Sequence, residues 1–188
     1  MDPMSATGTA AGLALATGLR AYIPLLLLGA AARYTHLVAL NPPYDILTQS
    51  WLLIVLLALS FLEFGADKIP VISHVNDVVH TLIRPLAGAV VFAGTQNVVS
   101  NQSPAFAFIT GLLIALGVHA AKTAVRTPLG LLTLGTATPI LSLIEDIGVA
   151  VLVVLALLLP IVALLLAGVV AALALLRILR RRSARWLV

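Results

Sequence analysis

The sequence predicts an all-α, polytopic membrane protein of about six transmembrane helices in a single domain. Three observations lead there. Of the 188 residues, 61% are hydrophobic and only 10% charged, and the mean hydropathy is +1.14, which leaves too little polar surface for a water-soluble domain. Apolar runs of the length that a bilayer about 30 Å thick demands of a helix recur along the chain. Between them stand short stretches dense in charge, histidine and proline, above all EFGADKIPVISHVNDVVHTLIRP over 63–85. The absence of cysteine excludes disulfides, thiolate metal sites and cysteine nucleophiles.

Taken in order, MDPMSATGTAAG lacks a basic leader and a cleavage site, so no removed signal peptide is expected. The first span covers about 7–33, with Arg20 near its middle and Pro24 predicting a kink a turn later. Gly8, Ala11, Gly12, Ala16 and Gly18 offer a small-residue face that lets another helix approach closely. YTHLVALNPPYD connects it to a second span over 48–66, with Tyr34, Tyr44 and Trp51 as headgroup anchors. That span carries Glu63 and Asp67 to its end, and Lys68-Ile69-Pro70 stops it. Residues 73–84 read as a short amphipathic segment between the second and third spans, too short and too polar to cross. Pro85 suits the first turn of a third span over 85–100. A fourth covers 105–126, and TPLGLLTLGTATP follows as a connector. The apolar block 140–180 would measure roughly 60 Å as one helix, twice the hydrocarbon layer. Pro160 therefore divides it into spans over 140–158 and 160–180, with Glu145 and Asp146 near the start of the former, where carboxylates suit a helix N-terminus.

The basic residues set the orientation. Arg177, Arg180, Arg181, Arg182 and Arg185 lie in a tail, 177–188, directly after an apolar helix, which is how a cytoplasmic anchor on anionic lipid headgroups looks; no nucleic-acid partner is expected. With six spans, both termini are cytoplasmic, Lys68, Arg84 and Arg126 fall at the inner boundary, and only Arg33 is left near the outer side. The expected location is a prokaryotic plasma (inner) membrane. Three spans per half would set the halves in opposite orientations, a 3+3 inverted pseudo-repeat, faintly echoed by Gly18-Leu19-Arg20-Ala21 and Gly117-Val118-His119-Ala120. Glycine-rich helix faces also permit a homodimer.

Glu63 and Asp67 are four residues apart and share a helix face; Asp77, His80 and Arg84, and again His119, Lys122 and Arg126, follow an i, i+3, i+7 spacing. A charge inserted into lipid costs roughly 2.5–3.5 kcal/mol on translocon scales. These groups, with Glu145 and Asp146, are thus expected to face one another or water, in a vestibule open to the cytoplasm with Arg20 and His119 deeper. The function expected is a membrane transporter or channel for a small ion or solute, cation- or proton-coupled. Glu63, Asp67, Glu145, Asp146 and Asp77 would bind the ion, Lys122, Arg126 and Arg84 would neutralise or release those carboxylates, His80 and His119 would relay protons, and Arg20 and Lys68 would act as gate or charge partners. The structural counterpart is a salt-bridge network among the same residues. Arg84, Lys122 and Arg126 also suit a lipid-phosphate binder or flippase, and a non-catalytic scaffold is the third reading. No pair of histidines has the i, i+4 spacing of a zinc motif, so the identity of any metal is open, and no nucleophile has a triad context. Neither an enzyme nor a cofactor is expected.

GLRAYIPLLLLG, EFGADKIP, HTLIRPLAGA, HAAKTAVR and SLIEDIG, in this order, make the chain resemble the integral membrane proteins grouped as domain-of-unknown-function family 4126, over nearly its whole length up to the basic tail. That resemblance implies architecture and no activity. Glu63-Phe64-Gly65-Ala66-Asp67-Lys68 is also similar to the Glu-x-Gly-Asp-Lys signature of divalent-cation/proton exchangers, with one residue inserted before the aspartate. Exchangers repeat the signature in both halves, whereas the second half here offers only Glu145-Asp146.

Overall fold

The computed structural model describes residues 3–40, 42–68, 70–96 and 103–169, the side chains of 70–77 and 96 excepted. Among them are seven α-helices, one short 3-10 turn and no strand: α1 Pro3–Leu19, α2 Tyr22–Tyr34, the turn Tyr44–Thr48, α3 Ser50–Ala66, α4 Pro70–Gln96, α5 Pro104–Leu132, α6 Thr138–Leu158 and α7 Pro160–Val169. Three stretches are long and apolar enough to cross a membrane: Val78–Thr95 in α4, then α5 and α6 entire.

The small residues of α1 place it at the centre. Every residue from Gly8 to Gly18 is buried, and the helix packs on α4, α5 and α6. A Cβ on Gly12 would stand 2.7 Å from Ala163 and 2.8 Å from Ala156, so α1 meets α6 and α7 almost backbone to backbone. Where α4 crosses α5, Gly88 faces Ala115 and the Gly111 carbonyl. Around these contacts Leu13, Leu28, Val91, Val149 and Val153 form one apolar cluster, and Ala10, Ala14, Phe92 and Ala107 another.

The distribution of polarity is the reverse of a soluble domain's. Ile54, Phe61, Leu62, Val78, Leu82, Leu113, Ile140 and Leu165 are exposed, while Arg20, Arg84, Glu63 and Asp67 are among the fully buried side chains. Such an exterior suits lipid.

Four expectations need correction. The first span is two helices, broken at Arg20 and Ala21, because Pro24 offers no N–H and its ring excludes the carbonyl four residues earlier, that of Arg20. The amphipathic segment and the third span are one helix, α4, which starts at Pro70 and contains Pro85. Pro70 takes the first-turn position, and the polar residues His80 and Arg84 are buried against other helices. The fourth span continues through Pro128 to Leu132; the chain turns at Leu134 and Gly135, whose φ values of 50° and 83° end the helix. Glu145 and Asp146 lie two turns inside α6, whose first turn holds no acid. The division at Pro160 falls where expected, since α6 ends at Leu158 and α7 starts at Pro160. The side chain of Asp77, the last residues of the third and sixth spans and the tail 177–188 lie outside the described residues.

The Gly88 contact yields a test. A Cβ there would sit 2.8 Å from the Gly111 carbonyl and 2.9 Å from Thr17 Oγ1. Gly88→Val is expected to destabilise by about 1–3 kcal/mol. Gly117→Ala, with nothing within 4 Å of its Cβ, is expected to be neutral or to stabilise by about 0.5–1 kcal/mol. Thermal denaturation in detergent, followed by circular dichroism, compares them, and equal melting temperatures would contradict this packing.

Candidate functional site

Breaking a helix inside the protein leaves backbone N–H and C=O groups that need other partners. At the α1–α2 break those groups are met by charges. The Glu63 carboxylate accepts from the backbone N–H of Ala21 (3.3 Å) and of Tyr22 (3.4 Å) at the start of α2. Lys122 Nζ donates to the Leu19 carbonyl at the end of α1 (3.1 Å). The anion sits at the positive end of one helix dipole and the cation at the negative end of the other. The end of α3 is treated alike: Arg126 Nη2 donates to the Asp67 carbonyl (2.9 Å) and Arg20 Nη1 to the Glu63 carbonyl (3.2 Å).

The same side chains pair with one another. Asp67 Oδ2 stands 2.6 Å from Arg20 Nη1, 3.2 Å from Arg126 Nη1, 3.7 Å from Lys122 Nζ and 4.0 Å from Arg84 Nη2. Arg20 Nη2 lies 2.7 Å from Asp146 Oδ1 and donates to Ser142 Oγ (2.9 Å). Glu145 Oε2 is shared by Lys122 Nζ (2.9 Å) and Arg126 Nη1 (3.1 Å). Glu63 Oε1 faces Arg84 Nη2 (3.3 Å) and His80 Nε2 (3.5 Å). Lys68 reaches Asp146 Oδ2 at 3.3 Å from the rim and lies over the Phe64 ring. His119 is oriented by its neighbours. Since a guanidinium only donates, Arg84 Nη1 gives its hydrogen to His119 Nδ1 (3.0 Å), which leaves the ring proton on Nε2, 3.2 Å from Thr81 Oγ1.

Of the residues predicted from sequence, Glu63, Asp67, Lys68, His80, Arg84, His119, Lys122, Arg126, Glu145, Asp146 and Arg20 thus form one connected group; Asp77 is outside the described side chains. Arg20 touches Asp67, because the break lets its side chain reach the end of α3. Sequence reasoning missed Ser142, Thr81 and the backbone groups of Leu19, Ala21 and Tyr22. The spacing of Arg20 and Pro24 was the signal for the last three. Among the described residues no three histidines or acids form a group that could hold a metal, and each acid of the network faces an arginine or a lysine.

The fold and this interior define an all-helical protein with an apolar exterior around a buried network of ion pairs. The chain belongs to the family described as a domain of unknown function (DUF4126), whose model matches residues 7–181. No curated protein and no solved structure matches it.

Removing one member should cost more than a surface ion pair would. Glu63→Leu strips the α2 cap and removes the carboxylate that Arg84 faces at 3.3 Å, for an expected loss of about 3–5 kcal/mol. Glu63→Gln keeps an acceptor for one backbone N–H and should lose roughly 1–3 kcal/mol. Melting temperatures in detergent rank them, and a Glu63→Leu variant as stable as wild type would contradict the capping role.

Proposed function

We propose that the protein is a membrane transporter for a small ion or solute, coupled to a cation or to protons, and that the ion-pair network at the α1–α2 break is its binding site. One observation carries the reading: a helix interrupted inside the protein, with its free ends turned toward buried charges. Interrupted membrane helices place free backbone groups and dipole ends where a solute binds, and a scaffold of apolar helices has no need of them. Exchange of partners among four acids and four buried bases supplies the alternative states a carrier needs. Glu63, Asp67, Glu145 and Asp146 take part as ligands or proton acceptors, Arg84, Lys122 and Arg126 as their counter-charges, His80 and His119 as relays, and Arg20 and Lys68 as gate residues.

In this reading the chain crosses an inner membrane six times, through α1–α2, α3, α4, α5, α6 and a last span beginning with α7, with both termini and the arginine-rich tail cytoplasmic. The halves form a 3+3 inverted pair only in orientation, since α5 runs unbroken through His119 where α1–α2 breaks at Arg20. A second reading, a lipid-phosphate binder or flippase, draws on the four cations around Asp67.

Reconstituted into liposomes, the protein is expected to carry a proton-coupled flux that protein-free liposomes lack. Asp67→Asn and Glu63→Gln should lower it at least about tenfold while the protein stays folded. Wild type without flux, with both substitutions changing only the melting temperature, would favour a scaffold. Loss of a copurifying phospholipid from Lys122→Ala would favour the second reading.

A further inference from the structure

The arginines and the acids of this network differ in one chemical respect. Arg20, Arg84 and Arg126 keep their charge at any attainable pH, whereas every acid facing them can be neutralised by one proton. All three arginines are buried, with at most 6% of their surface exposed. Neutralising an acid therefore leaves the buried cluster with more positive than negative charge, even where a cation keeps a second acid as Arg126 keeps Asp67, and an excess of buried charge is strongly unfavourable. An incoming anion removes that penalty. An incoming cation adds to it.

Glu145 is placed to be the acid that exchanges. Its side chain is 14% exposed and that of Asp146 12%, against 0% for Glu63 and Asp67, which sets the two α6 acids nearest the edge of the network. One of its oxygens holds both Lys122 and Arg126. The other charged groups around that point are Asp67 and Lys68 after α3, Arg84 on α4, Arg20 at the α1 end and Asp146 beside it on α6. If the carboxyl takes a proton and swings away, Lys122 and Arg126 present an ammonium and a guanidinium to the space it leaves. That pair matches a small oxyanion, such as a carboxylate or dihydrogen phosphate, as it matched the carboxylate before.

We propose that the solute is a small oxyanion bound between Lys122 and Arg126 in place of the Glu145 carboxylate, together with one proton taken up by Glu145. The inference rests on the transport reading and names its substrate class. By linkage each ligand favours the other: the anion draws in the proton, and the proton admits the anion. Binding should accordingly weaken as pH rises, by up to about tenfold per pH unit for one proton taken up with each anion.

The test uses purified full-length protein in weakly buffered detergent. Sodium phosphate, sodium acetate and, as controls, sodium chloride and calcium chloride are titrated calorimetrically while a pH indicator follows protons. Acetate binding with uptake of about one proton per anion supports the proposal, as does Glu145→Gln binding acetate with no uptake and no pH dependence. Lys122→Met should bind at least about tenfold more weakly. If Glu145→Gln does not fold, proton uptake by wild type on adding acetate, which itself stays ionised near neutral pH, still decides the matter. Extraction of tightly held lipid phosphate by wild type, absent from Lys122→Met, with no binding of either free anion, would assign the oxyanion to a lipid headgroup and overturn the free-solute form. Calcium binding with proton release would overturn the anion class and leave transport standing. No ligand and no liposome flux would overturn both.

Discussion

Three helix ends, those of α1, α2 and α3, stop inside this protein, and the rest of the structure follows from how they are satisfied. A helix end in an apolar interior leaves N–H or C=O groups without partners, each costing several kcal/mol in hydrocarbon. Here every such end meets a side chain of the sign its dipole favours: Glu63 at the start of α2, Lys122 at the end of α1, Arg20 and Arg126 at the end of α3. Those caps are charged, so they need counter-charges of their own, and the long-range ion pairs supply them. The network is a consequence of the interrupted helices as much as a companion to them.

This ordering explains why so apolar a chain buries so many charges. Four carboxylates and four buried bases cancel, each within about 3.3 Å of an opposite charge, and hydrogen bonds to backbone and to Ser142 and His119 take up part of the remaining valence. Buried pairs of this kind add little net stability, yet they are costly to break singly. They fix which helices lie together. Around them, glycine and alanine faces let α1, α4 and α5 close to near-backbone contact, and the large apolar side chains are turned outward.

Much of this was legible in the sequence. Hydropathy and proline placement locate the helices, and the division at Pro160 follows from length alone. The i, i+3, i+7 spacing of His119, Lys122 and Arg126 put all three on the buried face of α5, where they are found. What could not be read is long-range. Nothing local says that Lys122 pairs with Glu145, that Arg20 reaches Asp67, or that Ser142 accepts from Arg20. The break at Arg20 was under-read for another reason. A proline inside an apolar run suggests a kink, and whether the helix bends or stops depends on whether capping groups are at hand, which here come from Glu63 and Lys122. Pro85 reads as a helix start and so separates the amphipathic segment from a third span, whereas α4 runs through it.

The claim that interior charges compensate one another is tested most directly by exchanging a pair. Lys122→Glu and Glu145→Lys, made singly and together, form a double-mutant cycle read by chemical denaturation in detergent. Each reversal alone should destabilise severely, and the double variant should recover most of the loss, with a coupling energy above about 2 kcal/mol. A double variant no more stable than the sum of the single losses would mean that the two side chains do not share one enclosed environment, and the account of the interior would fail.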